Sequence, residues 1–196
     1  MSPIFIFGMA RSGTTLMNTL LSAHPNITIP CAETKFLSNW MKKNASQHSN
    51  YPEDFGCFWD QYSKSKNFSY LGIDADAVLF RILATGNHDY KTIFDSVLSE
   101  YAAKMKKPRW GEKSPGHYRY VNVLLEWYPQ ARIIWMLRDP RDIIASLINK
   151  YWAKGSVLHY AQRWHTSLRN YEQKWAGDER VKLVRYEMLV NNPESE

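Results

Sequence analysis

The chain has 196 residues, room for one domain with a substantial core and too few for two comfortable ones. Hydrophobic residues at 44% and charged residues at 22% fit a globular protein, and a net charge of +6 suits an anionic ligand without arguing for nucleic acid. No apolar run nears the ~20 residues that cross a bilayer. The two cysteines, Cys31 and Cys57, stand in no Cys-x-x-Cys pair or Cys/His cluster, which argues against zinc and for free thiols over one disulfide.

Met1-Ser2-Pro3 runs directly into an apolar stretch. With no basic leader and no small-residue cleavage site, the expectation is a cytoplasmic chain without a signal peptide. Ile4-Phe5-Ile6-Phe7 is a continuous apolar run ending at Gly8, as for a strand buried on both faces of a parallel sheet. From Thr14 to Ser22, Leu16, Met17, Leu20 and Leu21 recur at helical spacing, and His24-Pro25-Asn26 stops that helix. Ile27-Thr28-Ile29 suits a short strand, and a helix is expected from Thr34 to Met41. Lys42 to Asn67 is polar and without clear period, so a long loop or lid with short helical pieces is expected there.

Helices are expected over Asp74 to Ala84, Tyr90 to Met105 and Val121 to Tyr128, and a buried strand ends at Trp110-Gly111-Glu112. Arg132 to Leu137 is the strongest strand in the chain. Asp139-Pro140-Arg141-Asp142 then reads as a helix start, with Asp139 as N-cap, Pro140 at N1 and Asp142 at N3. That helix is expected to run to about Lys150, and another from Leu158 to Trp175. Val181-Lys182-Leu183-Val184 is the last strand. Strands alternating with helices predict an α/β fold, a three-layer αβα sandwich with a central parallel sheet. At the end, Asn192-Pro193-Glu194-Ser195-Glu196 announces a further helix, so a truncated chain is expected ahead of the alternative, a frayed natural terminus.

Gly8 and Gly13 are five apart, as in the phosphate-binding pattern G-x-x-x-x-G-K-[ST]. Glycines let such a loop curl its N–H groups inward, and the next helix adds its positive end. The lysine of that pattern is missing. Thr14 and Thr15 follow Gly13, and the cation is Arg11, inside the loop with Ser12. The missing lysine argues against γ-phosphoryl transfer, while Arg11 still offers paired donors to an anion. Arg138 ends the strongest strand, on the rim where open parallel sheets bind ligands. Ser146 lies two turns into the following helix. On geometry alone, an Arg138 pairing with Asp139 or Asp142 and a surface Ser146 are the simpler reading.

Two motifs in order change that weighting. Arg11-Ser12-Gly13-Thr14-Thr15-Leu16 with Leu20 to Pro25, and Leu137-Arg138-Asp139-Pro140-Arg141-Asp142 through Ser146, resemble the sulfotransferase family. The likeness extends from Ile4 to Pro193 and includes Tyr186-Glu187 after the last strand. It implies one sulfotransferase-like domain over 1–196, lacking the family's Gly- and basic-rich C-terminal segment. It implies 3′-phosphoadenosine 5′-phosphosulfate (PAPS) as donor, PAP as product and no metal. The first loop would hold the 5′-phosphosulfate, Arg138 with Ser146 the 3′-phosphate, and Tyr186 would lie near the adenine.

The family's cytosolic members place a histidine just after a lysine, whereas Glu112-Lys113-Ser114-Pro115 has none there. Tyrosylprotein and many bacterial members use a glutamate in a Glu-Thr-basic stretch, matched by Glu33-Thr34-Lys35. The resemblance therefore implies Glu33 as base, with Lys113 and Arg11 stabilising the leaving oxygen. Lys35 is a weaker candidate for orienting Glu33, and His117 is the second candidate base. Glu33 as a capping acid and Lys113 as a solvated lysine are the plainer alternatives. Tryptophans are core rings by default, although one or two near residues 36–62 could line an acceptor cleft.

The acceptor is a small molecule, carbohydrate or peptide, with no nucleic acid and no membrane span expected. Two other functions compete. A P-loop kinase or nucleotidase predicts dependence on ATP and Mg²⁺. A non-catalytic polyanion binder predicts binding through basic clusters, of which Lys104, Lys106, Lys107 and Arg109 form the densest.

Overall fold

The computed structural model describes residues 2–42 and 50–193. Its centre is a five-stranded sheet in the order β2-β3-β1-β4-β5. The strands are β1 (Ile4–Gly8), β2 (Ile27–Thr28), β3 (Arg109–Lys113), β4 (Arg132–Leu137) and β5 (Val181–Arg185). All pairings are parallel, with Ile6 opposite Lys113 on one side of β1 and Gly8 opposite Met136 on the other. β1 is buried along its whole length, as its unbroken apolar run requires.

The strand pleat sorts the side chains into two cores. Phe5, Phe7, Ile133, Trp135 and Val181 enter the larger one. Ile4, Ile6, Met136 and Val184 face the other, where they meet Met17 of α1 (Thr14–Ala23). The αβα layering expected from the alternation of elements is the one observed. Gly111 in β3 sits where a Cβ would stand 2.6 Å from the Ile4 carbonyl oxygen and 2.8 Å from Ile29, so a side chain there would push β3 off β1.

The region after Lys42 carries the short helical pieces expected there, but they pack into the core instead of forming a loop or lid. Residues 43–49 lie outside the described residues. Beyond them, α2 (Phe55–Ser63) and α3 (Lys66–Ser69) form, with Asp54 and Ser65 as N-caps. Phe58, Trp59, Tyr62 and Phe68 are buried in the larger core against Phe36 and Tyr90. The spacing Phe55, Phe58, Trp59, Tyr62 is a helical apolar stripe masked by its polar neighbours. These rings build the core.

The helix expected from Thr34 is a π-helical segment, Phe36–Met41, that buries Phe36 and Leu37. α4 (Ala75–Thr85) and α5 (Tyr90–Lys104) pack beside it on the same face of the sheet. A 3₁₀ turn, Pro115–Tyr120, follows β3 and leads into α6 (Val121–Trp127). α7 (Pro140–Ile148) follows β4, α8 (Val157–Lys174) crosses to β5, and α9 (Tyr186–Asn191) closes the described chain. The helix expected after Asn192-Pro193 falls on residues 194–196, outside the described residues. Cys31 and Cys57 are free thiols, as the sequence favours.

Candidate active site

β1 delivers the chain to the loop between Gly8 and Gly13. Gly8 has φ +146°, and a Cβ there would stand 2.6 Å from both the Met136 carbonyl oxygen and Ser12 Oγ. Gly13 has φ +96°, with the Tyr186 ring 2.4 Å from the place of a Cβ. Glycine is required at both for conformation and for space. Arg11 holds φ +76° without that freedom, a strain of about 1–3 kcal/mol of the kind kept at ligand loops. The Ser12 N–H donates to the Met9 carbonyl (3.0 Å) and closes the turn.

No side chain caps α1, and its first turn carries no acid, so its leading N–H groups remain available to an anion. Ser12 Oγ is buried without a hydrogen-bond partner, and so is Nε of Arg138. An uncapped helix start, two glycines with no room for side chains, and two orphaned polar atoms fit a phosphate-bearing ligand.

Arg138 follows β4 on the same rim. Asp139 accepts from the Arg141 N–H at 2.8 Å, Pro140 opens α7 and Asp142 lies in its first turn, as the sequence predicts. Hydrogen bonds from Arg141 hold the Asp139 carboxyl down to about 2. Arg138 donates to Asp142 (3.3 Å) and to the Arg11 carbonyl (3.3 Å), and its guanidinium lies 4.3 Å over the Tyr186 ring. The simpler reading of Arg138, a pairing with Asp142, is therefore present, yet it leaves Nε unmet.

One placement differs from expectation. The family resemblance implies Arg11 on the leaving group and Ser146 on the far phosphate, whereas Arg11 Nε donates to Ser146 Oγ at 2.8 Å. The left-handed turn at Arg11 directs its side chain towards α7. Reaching the other end of the loop requires a change of rotamer.

The structure brings Glu33 and Lys113 together. Lys113 Nζ stands 3.6 Å from Glu33 Oε1, and Lys35 Nζ is 4.0 Å from the other oxygen. The Lys113 side chain is 6% exposed and that of Glu33 34%, so a buried cation backs an accessible carboxylate. Lys113 is not the solvated loop lysine of the plainer reading, and Glu33 caps no helix, since Lys35 precedes the π-helical segment.

His117 is fully buried, with Nδ1 3.1 Å from Glu112 Oε2. Its Nε2 is sealed from solvent. Burial and its Glu112 partner place His117 beneath the site rather than in it.

A cleft of about 500 Å³ opens over Glu33 and Lys35, floored by Gly8, Met9 and Ala10 and walled by Tyr70, Tyr118, Trp152 and Arg163. Trp40 and Trp59, the tryptophans of the 36–62 stretch, pack on Tyr62 in the core instead. Trp152 lines the cleft, half-exposed, from the loop after α7.

Residues 3–196 match the model of the Sulfotransferase family. The chain belongs to that family. It is 24% identical over 212 residues to a protein-tyrosine sulfotransferase of Drosophila melanogaster, covering 97% of this chain and 35% of the relative. A putative protein-tyrosine sulfotransferase of Caenorhabditis briggsae is 26% identical over 98% of this chain and 61% of its own length. The nodulation protein NoeE of Sinorhizobium fredii is 29% identical over 73% of this chain and 30% of its own. The chain thus spans about a third to three fifths of the first two.

The same fold occurs in the sulfotransferase domain from the curacin biosynthetic pathway, with a TM-score of 0.62 and 24% identity over 99% of this chain and 70% of that one. It also occurs in the sulfotransferase STF1 of Mycobacterium tuberculosis, with a TM-score of 0.54, 20% identity, and coverage of 98% and 64%.

Trp164, Glu187 and Glu112 hold this rim without any role assigned to them from sequence. Trp164 Nε1 donates to the Arg138 carbonyl (2.9 Å) and pins α8 to the rim, and Glu187 accepts from the Asp139 N–H (2.9 Å). Glu112 is the most deeply placed. It accepts from Thr34 Oγ1 (2.8 Å), from Ser114 Oγ and from His117. Burial pushes its carboxyl up, but the His117 charge and the three donors prevail and hold it below the ordinary value.

Among the described residues, no cluster of His, Cys, Asp or Glu is arranged to hold a metal ion, and no helix is long and apolar enough to cross a membrane.

Glu112→Gln is expected to lower stability at pH 7 by about 1–3 kcal/mol, since it strips a charge from buried donors. A folded pKa below the unfolded value means the ionised carboxylate favours folding. That contribution is complete above the unfolded value of about 4.3 and is lost as pH falls through the folded one. The gap between wild type and variant should therefore narrow below about pH 4. Urea unfolding followed from pH 7 to 3 measures it.

Proposed function

We propose that the chain transfers a sulfuryl group from PAPS to an acceptor hydroxyl by metal-independent in-line displacement, with Glu33 as the general base. The observation that carries this reading is the Glu33–Lys113 pair, 3.6 Å apart, on the rim that also holds the uncapped loop and Arg138. When bound, the donor supplies the sulfuryl group and a leaving phosphate.

The chain's own residues supply the rest. The Gly8–Thr15 loop and the start of α1 bind the anionic end of the donor. Arg138, with its orphaned Nε, and Ser146 take the second phosphate, joined by Arg11 while it stays on Ser146. Tyr186, beside Gly13 and under Arg138, offers a face to the adenine. Glu33 accepts the proton of the acceptor hydroxyl, and Lys113 offsets charge developing on the leaving oxygen. Arg11 joins Lys113 only after its rotamer changes. Lys35, beside the outer Glu33 oxygen, helps to orient it.

The acceptor enters through the cleft bounded by Tyr70, Trp152 and Arg163. Names of relatives as protein-tyrosine sulfotransferases make peptide tyrosine one acceptor to try, beside sugars and small alcohols. The competing readings have less support. Thr14 stands where a kinase loop has its lysine. Of the basic cluster, Lys107 is bonded to the carbonyls of Ser22, His24 and Ile27, Arg109 to that of Ser2 and Lys104 to that of Gly72. Those cations hold the fold together and are not arrayed for a polymer.

Calorimetric titration is expected to give tight binding of PAP, weak binding of ATP and no effect of Mg²⁺. A preference for ATP·Mg²⁺ would sink the proposal. Glu33→Gln should lose turnover of PAPS with a responsive acceptor yet keep PAP affinity within about 2-fold, because the lost interaction belongs to the transition state. Full activity in that variant would remove Glu33 as the base.

A further inference from the structure

Glu112 touches no cleft, yet it joins the two segments that carry the transfer pair. It is fully buried. Thr34, next to Glu33 in the chain, donates its hydroxyl to Glu112 Oε1 and accepts from the Phe36 N–H. Ser114, next to Lys113, donates to the same oxygen, and its own oxygen accepts the Lys35 N–H at 3.2 Å. His117 holds the other oxygen. One carboxylate thus ties the residue after Glu33 to the residue after Lys113.

We propose that Glu112 is a positioning residue that sets the Glu33–Lys113 distance by clamping the Thr34–Lys35 turn to the end of β3. The proposal rests on Glu33 and Lys113 being the transfer pair. Successive side chains of a strand point to opposite faces, so Glu112 works below the sheet rim while Lys113 works above it.

The turn needs such a clamp. Lys35 has φ +50°, a left-handed conformation that opposes a side chain and relaxes unless its surroundings hold it. The Ser114 hydroxyl accepts the Lys35 N–H, and the Thr34 hydroxyl accepts the N–H of Phe36, the next residue. Both hydroxyls end on a carboxylate kept ionised by His117 and by its hydrogen bonds, which makes each bond charge-assisted. A neutral side chain at 112 would hold the turn more weakly. Asn67 supports the same turn from outside, donating to the Glu33 carbonyl at 3.0 Å.

Replacing Glu112 itself also lowers stability, so the test goes through its donors. Thr34→Val removes one hydroxyl at nearly constant volume, Thr34→Ser keeps it, and Ser114→Ala removes the other. Crystal structures of the three variants and wild type give the Glu33–Lys113 separation. Calorimetry with PAP gives donor affinity, and PAP release from PAPS with water as acceptor gives turnover.

Thr34→Val and Ser114→Ala should each lengthen the pair from 3.6 Å to beyond ion-pair reach. Turnover should fall by about 10–100-fold, as misplacing a reacting group by an ångström does. PAP affinity should stay within about 2-fold, since donor-binding residues are untouched. Thr34→Ser should restore both distance and rate. A pair that keeps its separation in Thr34→Val and Ser114→Ala overturns the clamp. Failure of wild type to bind PAP would instead sink the donor reading, while the measured separation still decides the clamp.

Discussion

The site depends on β1 being held in parallel register between β3 and β4. That arrangement brings the carboxyl ends of the three strands to one edge. β1 ends in the glycine-bounded loop, β3 in Lys113 and β4 just before Arg138. No single segment could supply an anion cradle, a buried ammonium and a second guanidinium within reach of one ligand. The register is fixed by apolar packing on both faces of β1, with Phe5 and Phe7 on one side and Ile4 and Ile6 on the other. A slip by one residue would exchange those faces, so the chemistry at the rim inherits its precision from the pleat.

The rim is electrostatically divided. At the Arg138 end the cations are exposed or half-buried and share partners already present, namely Asp142, Ser146 and the Tyr186 ring. These contacts hold the side chains near one another and leave donors over for a ligand. At the Glu33 end the cation is buried and its carboxylate is open to the cleft. Burial strengthens the field of Lys113 on its surroundings, and exposure leaves the Glu33 carboxylate open to the cleft. Beneath the Glu33 end lies the Glu112 network, in which a fully buried charge is tolerated because three donors, His117 among them, satisfy it.

Much of this was legible in the sequence because the signals were local. The apolar run from Ile4, the glycine spacing, and the Asp139-Pro140 start of α7 each encode geometry within a few residues. The Glu33–Lys113 pair was legible only through the likeness to a family, because the two are eighty positions apart in sequence and no periodicity links them.

The failures have physical causes. The aromatic stripe of α2 was hidden by polar neighbours, so a core helix read as a short helical piece of a loop or lid. The direction of Arg11 depends on a left-handed turn that composition does not report. Glu112 read as the end of a strand, since nothing in a sequence marks a carboxylate whose donors come from residue 34 on one side and 117 on the other.

On the proposed function, one ligand spans the rim from the Gly8–Thr15 loop to Arg138. A crystal structure of the chain with PAP tests it most directly. The 5′-phosphate is expected against the N–H groups of the loop and the start of α1, and the 3′-phosphate between Arg138 and Ser146, with Arg138 Nε now satisfied. PAP bound elsewhere, or with its 3′-phosphate in solvent away from Arg138, would contradict it.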